Sequence, residues 1–215
     1  MNLKKQFVTE NEQENMRLMY SDSLIASIMS EKIISWLPEV PKEYIVVCIG
    51  TDRSTGDSLG PLTGTFLHDH KPKYLSVYGT IHDPVHATNL ETYIKLINNQ
   101  HRNPYIIAVD ACLGKSTSVG NIILGKGSLK PGAALNKSLP QIGDIHLTGV
   151  VNISGFMEFS ILQNTRLSIV IDMAKQLANL LMMIDNRLQH SITTPSIVMP
   201  AINQENLVEQ KQKRV

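Results

Sequence analysis

An α/β fold with a mostly parallel central sheet is predicted by two features of the 215-residue sequence. Short apolar segments rich in β-branched residues, at 44–49, 74–78 and 105–109, alternate with segments whose apolar residues recur at helical spacing. Strands that alternate with helices form parallel sheets through right-handed crossovers. The first segment is apolar throughout, which is typical of a strand buried on both faces. We therefore predict a three-layer α/β/α sandwich.

The predicted helices have apolar stripes and recognisable ends. A helix over 21–37 ends at Pro38, and one that begins near Leu59 runs to about Asp69. Residues 88–91 match a capping box, which predicts that a further helix begins at Leu90. After the third strand we expect strands at 120–127 and 145–151, followed by two helices, 155–164 and 168–189.

The chain is expected to form one domain with two loose ends. Residues 1–19 are polar and aperiodic, which predicts a flexible arm. Residues 20–190 carry the periodic segments and are of ordinary single-domain length. Residues 191–215 contain two prolines and a Gln/Glu/Lys run, which predicts a frayed tail.

Composition excludes several classes of partner. Lys and Arg number 20 against 19 Asp and Glu, so no large field of one sign favours nucleic acid or an anionic membrane. No apolar run approaches the roughly 18 residues that a membrane helix needs. The two cysteines, Cys48 and Cys112, are too few for a disulfide framework, which favours a reducing compartment. We expect a cytoplasmic protein.

Two aspartates follow predicted buried strands. Asp57 lies in the loop after the strand at 44–49, and Asp110 follows the strand at 105–109. The C-terminal edge of a parallel sheet is where α/β proteins bind ligands. If the two strands are neighbours, their ends lie about 5 Å apart. Each aspartate alone could instead cap a helix or a turn.

A close carboxylate pair has a specific chemistry. Two such groups cannot both ionise freely, so they share a proton and one is poised as a base. The pair could activate water and protonate a leaving group, or bind a divalent metal through oxygen. His146 could complete an Asp/Asp/His cluster suited to a transition metal or a proton relay, or be an ordinary strand histidine.

Further residues could contact a substrate in the same cleft. Asp52 and Arg53 lie in the first loop, where they could pair with each other, with a substrate or with solvent. Gly56 belongs to the same loop, whose backbone amides could stabilise an oxyanion. His82 and His86 follow the second strand and could face the cleft or lie in an ordinary loop.

Two nucleotide-binding motifs are excluded, and one nucleophile is disfavoured. Residues 114–117 resemble the end of a phosphate-binding loop, but Val109 stands where that motif needs glycine. Residues 56–60 do not form a dinucleotide fingerprint. Cys112 could be a nucleophile beside a histidine, but the pattern favours a buried or incidental thiol.

Several motifs resemble one known family. Residues 48–61, 79–87, 109–114, 143–152 and 155–158 resemble the YyaC family of sporulation proteins of endospore-forming bacteria. That family is described as similar to the spore germination protease and, more distantly, to hydrogenase-maturation endopeptidases. The resemblance implies a phosphorylase/hydrolase-like α/β/α sandwich.

The resemblance also implies roles for individual residues. Asp57, within the motif 57–61, and Asp110 match the aspartates implicated in catalysis by the spore protease. Asp57, Asp110 and His146, the last in a His-x-x-Gly context, match the trio that recognises nickel on the substrate of the hydrogenase-maturation enzymes.

These observations give one main hypothesis and two alternatives. We predict a sporulation-associated aspartic-type endopeptidase that acts on a peptide or protein in the cytoplasm of the developing spore or mother cell. It needs no cofactor, although a divalent metal could bind at Asp57, Asp110 and His146. The first alternative is a non-catalytic protein that binds a peptide, a metal or a small ligand on the same fold. The second is that both aspartates only cap turns.

Overall fold

A computed structural model describes residues 15–40, 42–131 and 139–193 of the chain. The strands are β1 (Met16–Met19), β2 (Tyr44–Cys48), β3 (Leu75–Tyr78), β4 (Tyr105–Gly114), β5 (Asn121–Lys126) and β6 (Ile145–Ile153). The helices are α1 (Ile25–Trp36), α2 (Leu59–Asp69), α3 (Leu90–Gln100), α4 (Glu158–Gln163) and α5 (Leu167–Thr193).

The strands form one sheet in the order β1-β5-β6-β4-β2-β3. Parallel pairing joins β3 to β2, β2 to β4 and β4 to β6. The strands β5 and β1 extend the sheet with antiparallel pairing. The mostly parallel sheet predicted from the sequence is thus confirmed, and β2 and β4 are neighbours in its centre.

Helices cover both faces of the sheet, which confirms the three-layer architecture. On one face α1, α2 and α5 pack against the sheet around residues such as Ile33, Leu67 and Leu177. On the other face α3 packs through Leu90 and Ile97 against alternate residues of β2. All five residues of β2 are buried, as expected for a central strand with helices on both sides.

The first predicted boundary is wrong by several residues. Met16–Met19 lies within the predicted arm but forms β1, which pairs with β5 in the register Met16 to Leu124. Its exposure alternates along the strand, a period-two pattern too short to distinguish from the polar residues around it. Residues 1–14 of the arm and 194–215 of the tail lie outside the described residues, and α5 extends to Thr193.

The capping box predicted at 88–91 does not form. The helix α3 begins at Leu90, but no side chain caps it. The Asn89 Oδ1 accepts the His86 N–H at 2.7 Å, and the Thr88 hydroxyl bonds to the His86 ring at 2.9 Å. Both polar side chains therefore order the preceding turn instead of the helix end.

The helix α5 is longer and more apolar than the sequence prediction allowed. Residues Leu167–Leu188 are long and apolar enough to cross a membrane by length and composition. The prediction that no segment approaches that length is therefore wrong. The buried stripe of α5, which includes Val170, Leu177 and Ile184, packs in the main core of the domain. We interpret α5 as a core helix for that reason.

One buried carboxylate ties α5 to the start of β3. The Asp185 side chain is 2% exposed and accepts the backbone N–H groups of Lys73, Tyr74 and Leu75 at 3.0, 2.7 and 2.9 Å. Three N–H groups at a strand start thereby gain a charged acceptor, which makes these hydrogen bonds stronger than neutral ones.

We expect Asp185→Ala to lower the free energy of unfolding by roughly 2–4 kcal/mol, because it removes a charged acceptor and leaves a buried N–H unpaired. Urea denaturation measures the change. Asp172→Ala is the matched control, since Asp172 is exposed on the same helix and should have an effect within about 0.5 kcal/mol. Equal stabilities of the two variants would contradict the anchoring role of Asp185.

Candidate functional site

A tight loop after β2 brings Asp57 back to the strand end. Gly50 has a φ of +145°, and a Cβ at this position would overlap the carbonyl oxygen of Asp57. The Thr51 N–H donates to that same carbonyl at 3.1 Å. Only glycine permits this backbone conformation and close approach without strain. Asp57 then lies in a short 3-10 helix, Gly56–Ser58, that leads into α2.

Asp110 lies where β4 loses one of its two neighbours. The sequence predicts that the third strand ends before Asp110, but β4 continues to Gly114. The pairing of β2 with β4 ends at Cys48 and Val109, with a last hydrogen bond from the Ile49 N–H to the Val109 carbonyl at 2.7 Å. On its other side β4 remains paired with β6, and Asp110 is opposite Thr148.

The two aspartates meet at the boundary between two cavities. Asp57, Asp110 and Leu162 line both a cavity of about 430 Å³ and a second of about 230 Å³. The larger cavity has a mainly apolar wall formed by Ile49, Ala87, Pro131, Phe159 and Leu162. The smaller cavity includes residues 111–113 of β4, together with Lys130, Thr148 and Glu158. The predicted meeting of the two carboxylates at one edge of the sheet is therefore observed.

Burial makes both carboxyl groups hard to ionise. Asp110 is 8% exposed, and burial followed by the nearby Asp57 charge raises its pKa to about 8. The hydrogen bond from the Ala111 N–H to Asp110 Oδ1, at 2.8 Å, acts in the opposite direction. Burial also raises the pKa of Asp57, whose carboxylate has no hydrogen-bond donor among the described residues. The pair is suited to carry one proton near neutral pH.

Ser54 is a buried polar residue of the first loop that lines the larger cavity. Ser54 is 4% exposed, and its Oγ makes no hydrogen bond to any described residue. Buried polar atoms are almost always bonded, so the Ser54 hydroxyl is an exception among the described residues. No pattern in the sequence indicates Ser54, because a serine in a polar loop is common.

The structure brings some of the predicted contact residues to the site and leaves others away from it. Arg53 and His86 line the larger cavity. Asp52 and His82 are exposed and line neither cavity. Gly56 is buried under α4, and a Cβ there would come within 2.7 Å of Leu162 Cδ2. Gly56 therefore packs the loop against α4 instead of facing a substrate.

His146 does not join the aspartates. On β6 it lies opposite Ala108, two residues before the Thr148 that faces Asp110. Its ring lies beside Gly125 of β5, and its Nδ1 donates to the Gly127 carbonyl at 2.9 Å. His146 lines neither cavity, so its predicted place in the cluster is wrong. The ring fits at the β5 side because Gly125 has no side chain, and the hydrogen bond to the Gly127 carbonyl keeps it there.

A three-residue metal cluster is not formed within the described ranges. No group of three His, Cys, Asp or Glu residues there is arranged to hold a metal ion, which includes the set predicted from Asp57, Asp110 and His146. The two carboxylates alone supply oxygen ligands of the kind that hard divalent cations accept.

Cys112 lies in the smaller cavity but is poorly suited to act as a nucleophile. Burial raises the pKa of its thiol, while a hydrogen bond with Thr148 lowers it by less. A reactive cysteine needs the opposite, a lowered pKa.

Fold and site together define a class of protein, namely an α/β/α sandwich with a desolvated carboxylate pair at the C-terminal edge of its parallel strands. The chain belongs to the family described as "Protein of unknown function (DUF1256)", whose model matches residues 17–180. It is 47% identical over 186 residues to "Uncharacterized protein YyaC" of Bacillus subtilis (strain 168), a match that covers 86% of this chain and 91% of that protein. The resemblance to YyaC is thus confirmed.

One solved structure has a partly similar fold. It is the [NiFe] hydrogenase maturation protease HycI from Thermococcus kodakarensis KOD1, with a TM-score of 0.47 and 16% sequence identity. The match covers 67% of this chain and 93% of that protein.

The raised pKa of Asp110 predicts a specific pH dependence of stability. In the unfolded chain an aspartate titrates near about 3.9, whereas Asp110 in the folded protein titrates at about 8. Below the unfolded value both states hold the proton and Asp110 carries no penalty. As pH rises from about 4 to about 8, only the unfolded state releases the proton, so the folded state loses stability.

We therefore expect the unfolding free energy of wild type, relative to Asp110→Asn, to fall by a few kcal/mol (order of magnitude) between about pH 4 and pH 8 and then level off. Urea denaturation at a series of pH values measures the difference. Asp172→Asn, which removes one carboxylate at an exposed position, is measured beside it as the matched control. A constant difference for Asp110→Asn would contradict a protonated Asp110.

Proposed function

We propose that this protein is a peptidase in which Asp57 and Asp110 activate water for peptide hydrolysis. The observation that carries the proposal is the meeting of two desolvated carboxyl groups, from separate segments, at the boundary of two cavities. A purely structural role as turn caps is disfavoured, because the Asp57 carboxylate caps nothing among the described residues. The likeness of the family motifs to those of the spore protease supports the same choice.

The two aspartates have different roles in this mechanism. Asp110 is the more deeply buried, so it keeps the shared proton, while Asp57 ionises first and acts as the base. Asp57 takes a proton from water as the water oxygen bonds to the peptide carbonyl carbon. Asp110 gives its proton to the departing nitrogen as the C–N bond breaks. Transfer of the proton from Asp57 to Asp110 then restores the starting state.

Two backbone amides of the loop after β2 already have acceptors within the protein. The Gly50 N–H already donates to the Val85 carbonyl at 2.8 Å, and the Thr51 N–H donates to Asp57. These two amides are therefore not available to an oxyanion, and the expected donor must be another amide of the same loop.

We further propose that the peptidase acts in the cytoplasm during sporulation. The support for this is the family resemblance alone. Deletion of the YyaC gene in Bacillus subtilis should then reduce the yield or germination of spores, and a catalytically inactive copy should fail to restore it.

The aspartates can be tested by direct cleavage of peptides. We expect the purified wild-type protein to cleave members of a synthetic randomised octapeptide library, and Asp57→Asn or Asp110→Asn to reduce the rate by about 10²–10⁴-fold. Mass spectrometry of the products measures cleavage. Asp172→Asn is the control for loss of one exposed carboxylate and should keep full activity.

Two results would contradict the peptidase proposal. One is that folded Asp57→Asn and Asp110→Asn variants cleave as well as wild type. The other is that wild type cleaves nothing, while library peptides raise its melting temperature only when both aspartates are present. The second result would instead favour the non-catalytic binding protein.

The proton on Asp110 also predicts a bell-shaped dependence of kcat/KM on pH. The rate should rise as Asp57 ionises and fall again near pH 8, as Asp110 loses the proton that the leaving group needs. Initial rates in buffers of constant ionic strength give the profile. A rate that keeps rising well above pH 8 would show that Asp110 does not act as the acid.

A further inference from the structure

One edge of β4 is open beside the two aspartates. The strand β2 ends opposite Val109, while β4 continues to Gly114 with only β6 beside it. Within the described ranges no strand pairs with the other side of residues 111–113. On that side the Ala111 N–H donates to Asp110 Oδ1.

The direction of the backbone groups identifies the open positions. The Tyr105 N–H and the Val109 carbonyl bond toward the β2 side, whereas the Ile106 and Gly114 carbonyls bond toward the β6 side. Because these directions alternate along a strand, Ala111 and Leu113 direct their backbone groups toward the open side. The Ala111 carbonyl and the Leu113 N–H are therefore available to a new strand.

This open edge leads directly away from the carboxylate pair. Residues 111–113 line the smaller cavity together with Asp57 and Asp110. Unpaired strand edges are normally protected, because they are templates for pairing with another chain. Here the edge is recessed in a cavity that Lys130 and Glu158 flank. Because the edge is recessed, an extended peptide can reach it more readily than the edge strand of another folded protein can.

A second, independent observation lies on the opposite side of the aspartates. The larger cavity, which Asp57 and Asp110 also line, lies there. That cavity has a mainly apolar wall, which includes Ile49, Phe159 and Leu162. A chain that crosses the carboxylate pair would find unused hydrogen-bonding groups on the β4 side and an apolar recess on the other side.

We propose that the substrate is an extended peptide that pairs as an added strand with Ala111 and Leu113 of β4, in the place where β2 would have continued. The same peptide crosses the carboxylate pair and places an apolar side chain in the larger cavity. The substrate class is then an unfolded tail or linker with an apolar residue on one side of the bond cut. The cleavage part rests on the proposed function, but the added strand does not.

Methylation of single peptide nitrogens tests the added strand. A library octapeptide selected for binding to Asp110→Asn is resynthesised with one N-methyl group at each position in turn. An added strand directs alternate amides to β4, so we expect losses of affinity of roughly tenfold at the alternate positions that face Ala111 and Leu113 and about threefold or less at the other positions. Fluorescence anisotropy measures the affinities. The protein is unchanged throughout, so misfolding cannot imitate the pattern.

Amide hydrogen exchange provides a second readout on the protein. When the protein is saturated with the unmethylated octapeptide, hydrogen exchange of the Leu113 N–H should slow by about tenfold or more. NMR measures this exchange rate. The Cys112 N–H, on the β6 side, is the internal control and should change little. An N-methyl scan without alternation, an unprotected Leu113 N–H, or a library with no binding peptide would each overturn the added strand.

The two proposals fail separately. Alternating losses of affinity with no cleavage by wild type would support the added strand and contradict the peptidase. Cleavage by wild type without alternation would support the peptidase and overturn the added strand.

Discussion

The parallel pairing of β2 with β4 is the constraint on which the site depends. Both strands are central and largely buried, so their relative register is fixed by apolar packing on two faces. Because the pairing ends at Cys48 and Val109, Asp110 lies at the first position beyond it. The reversal at Gly50 returns Asp57 to the same point. Two segments more than 50 residues apart in sequence thus deliver their carboxyl groups to one place.

Desolvation gives this pair its chemical character. An exposed aspartate is a weak base and, near neutral pH, holds no proton to donate. Removal of Asp110 from water makes its protonated form stable up to about pH 8, so one carboxyl can donate while the other accepts. The same removal from water destabilises the fold at high pH. The domain tolerates this because its large core and anchors such as Asp185 lie elsewhere.

The sequence predicted the layers and the strand neighbours because both follow from the order of the elements and from continuous apolar runs. It also predicted that Asp57 and Asp110 meet, since both follow central parallel strands. It misplaced His146, because a motif at suitable spacing carries no information on register, and β6 sets that side chain opposite Ala108. It predicted α4, within the helix expected at 155–164, but not that this helix packs over Gly56, and it did not indicate the buried Ser54 hydroxyl. Both depend on tertiary packing that no local pattern records.

The short strand β1 has a practical meaning for anyone who shortens this chain. The four residues of β1 belong to the segment that the sequence predicts to be a flexible arm, but they pair with the outer edge of β5. Removal of everything before residue 20 would expose the edge of β5, a six-residue strand rich in isoleucine and leucine. An exposed edge of this kind promotes self-association. A trimmed version that begins before Met16 keeps that flank of the sheet closed.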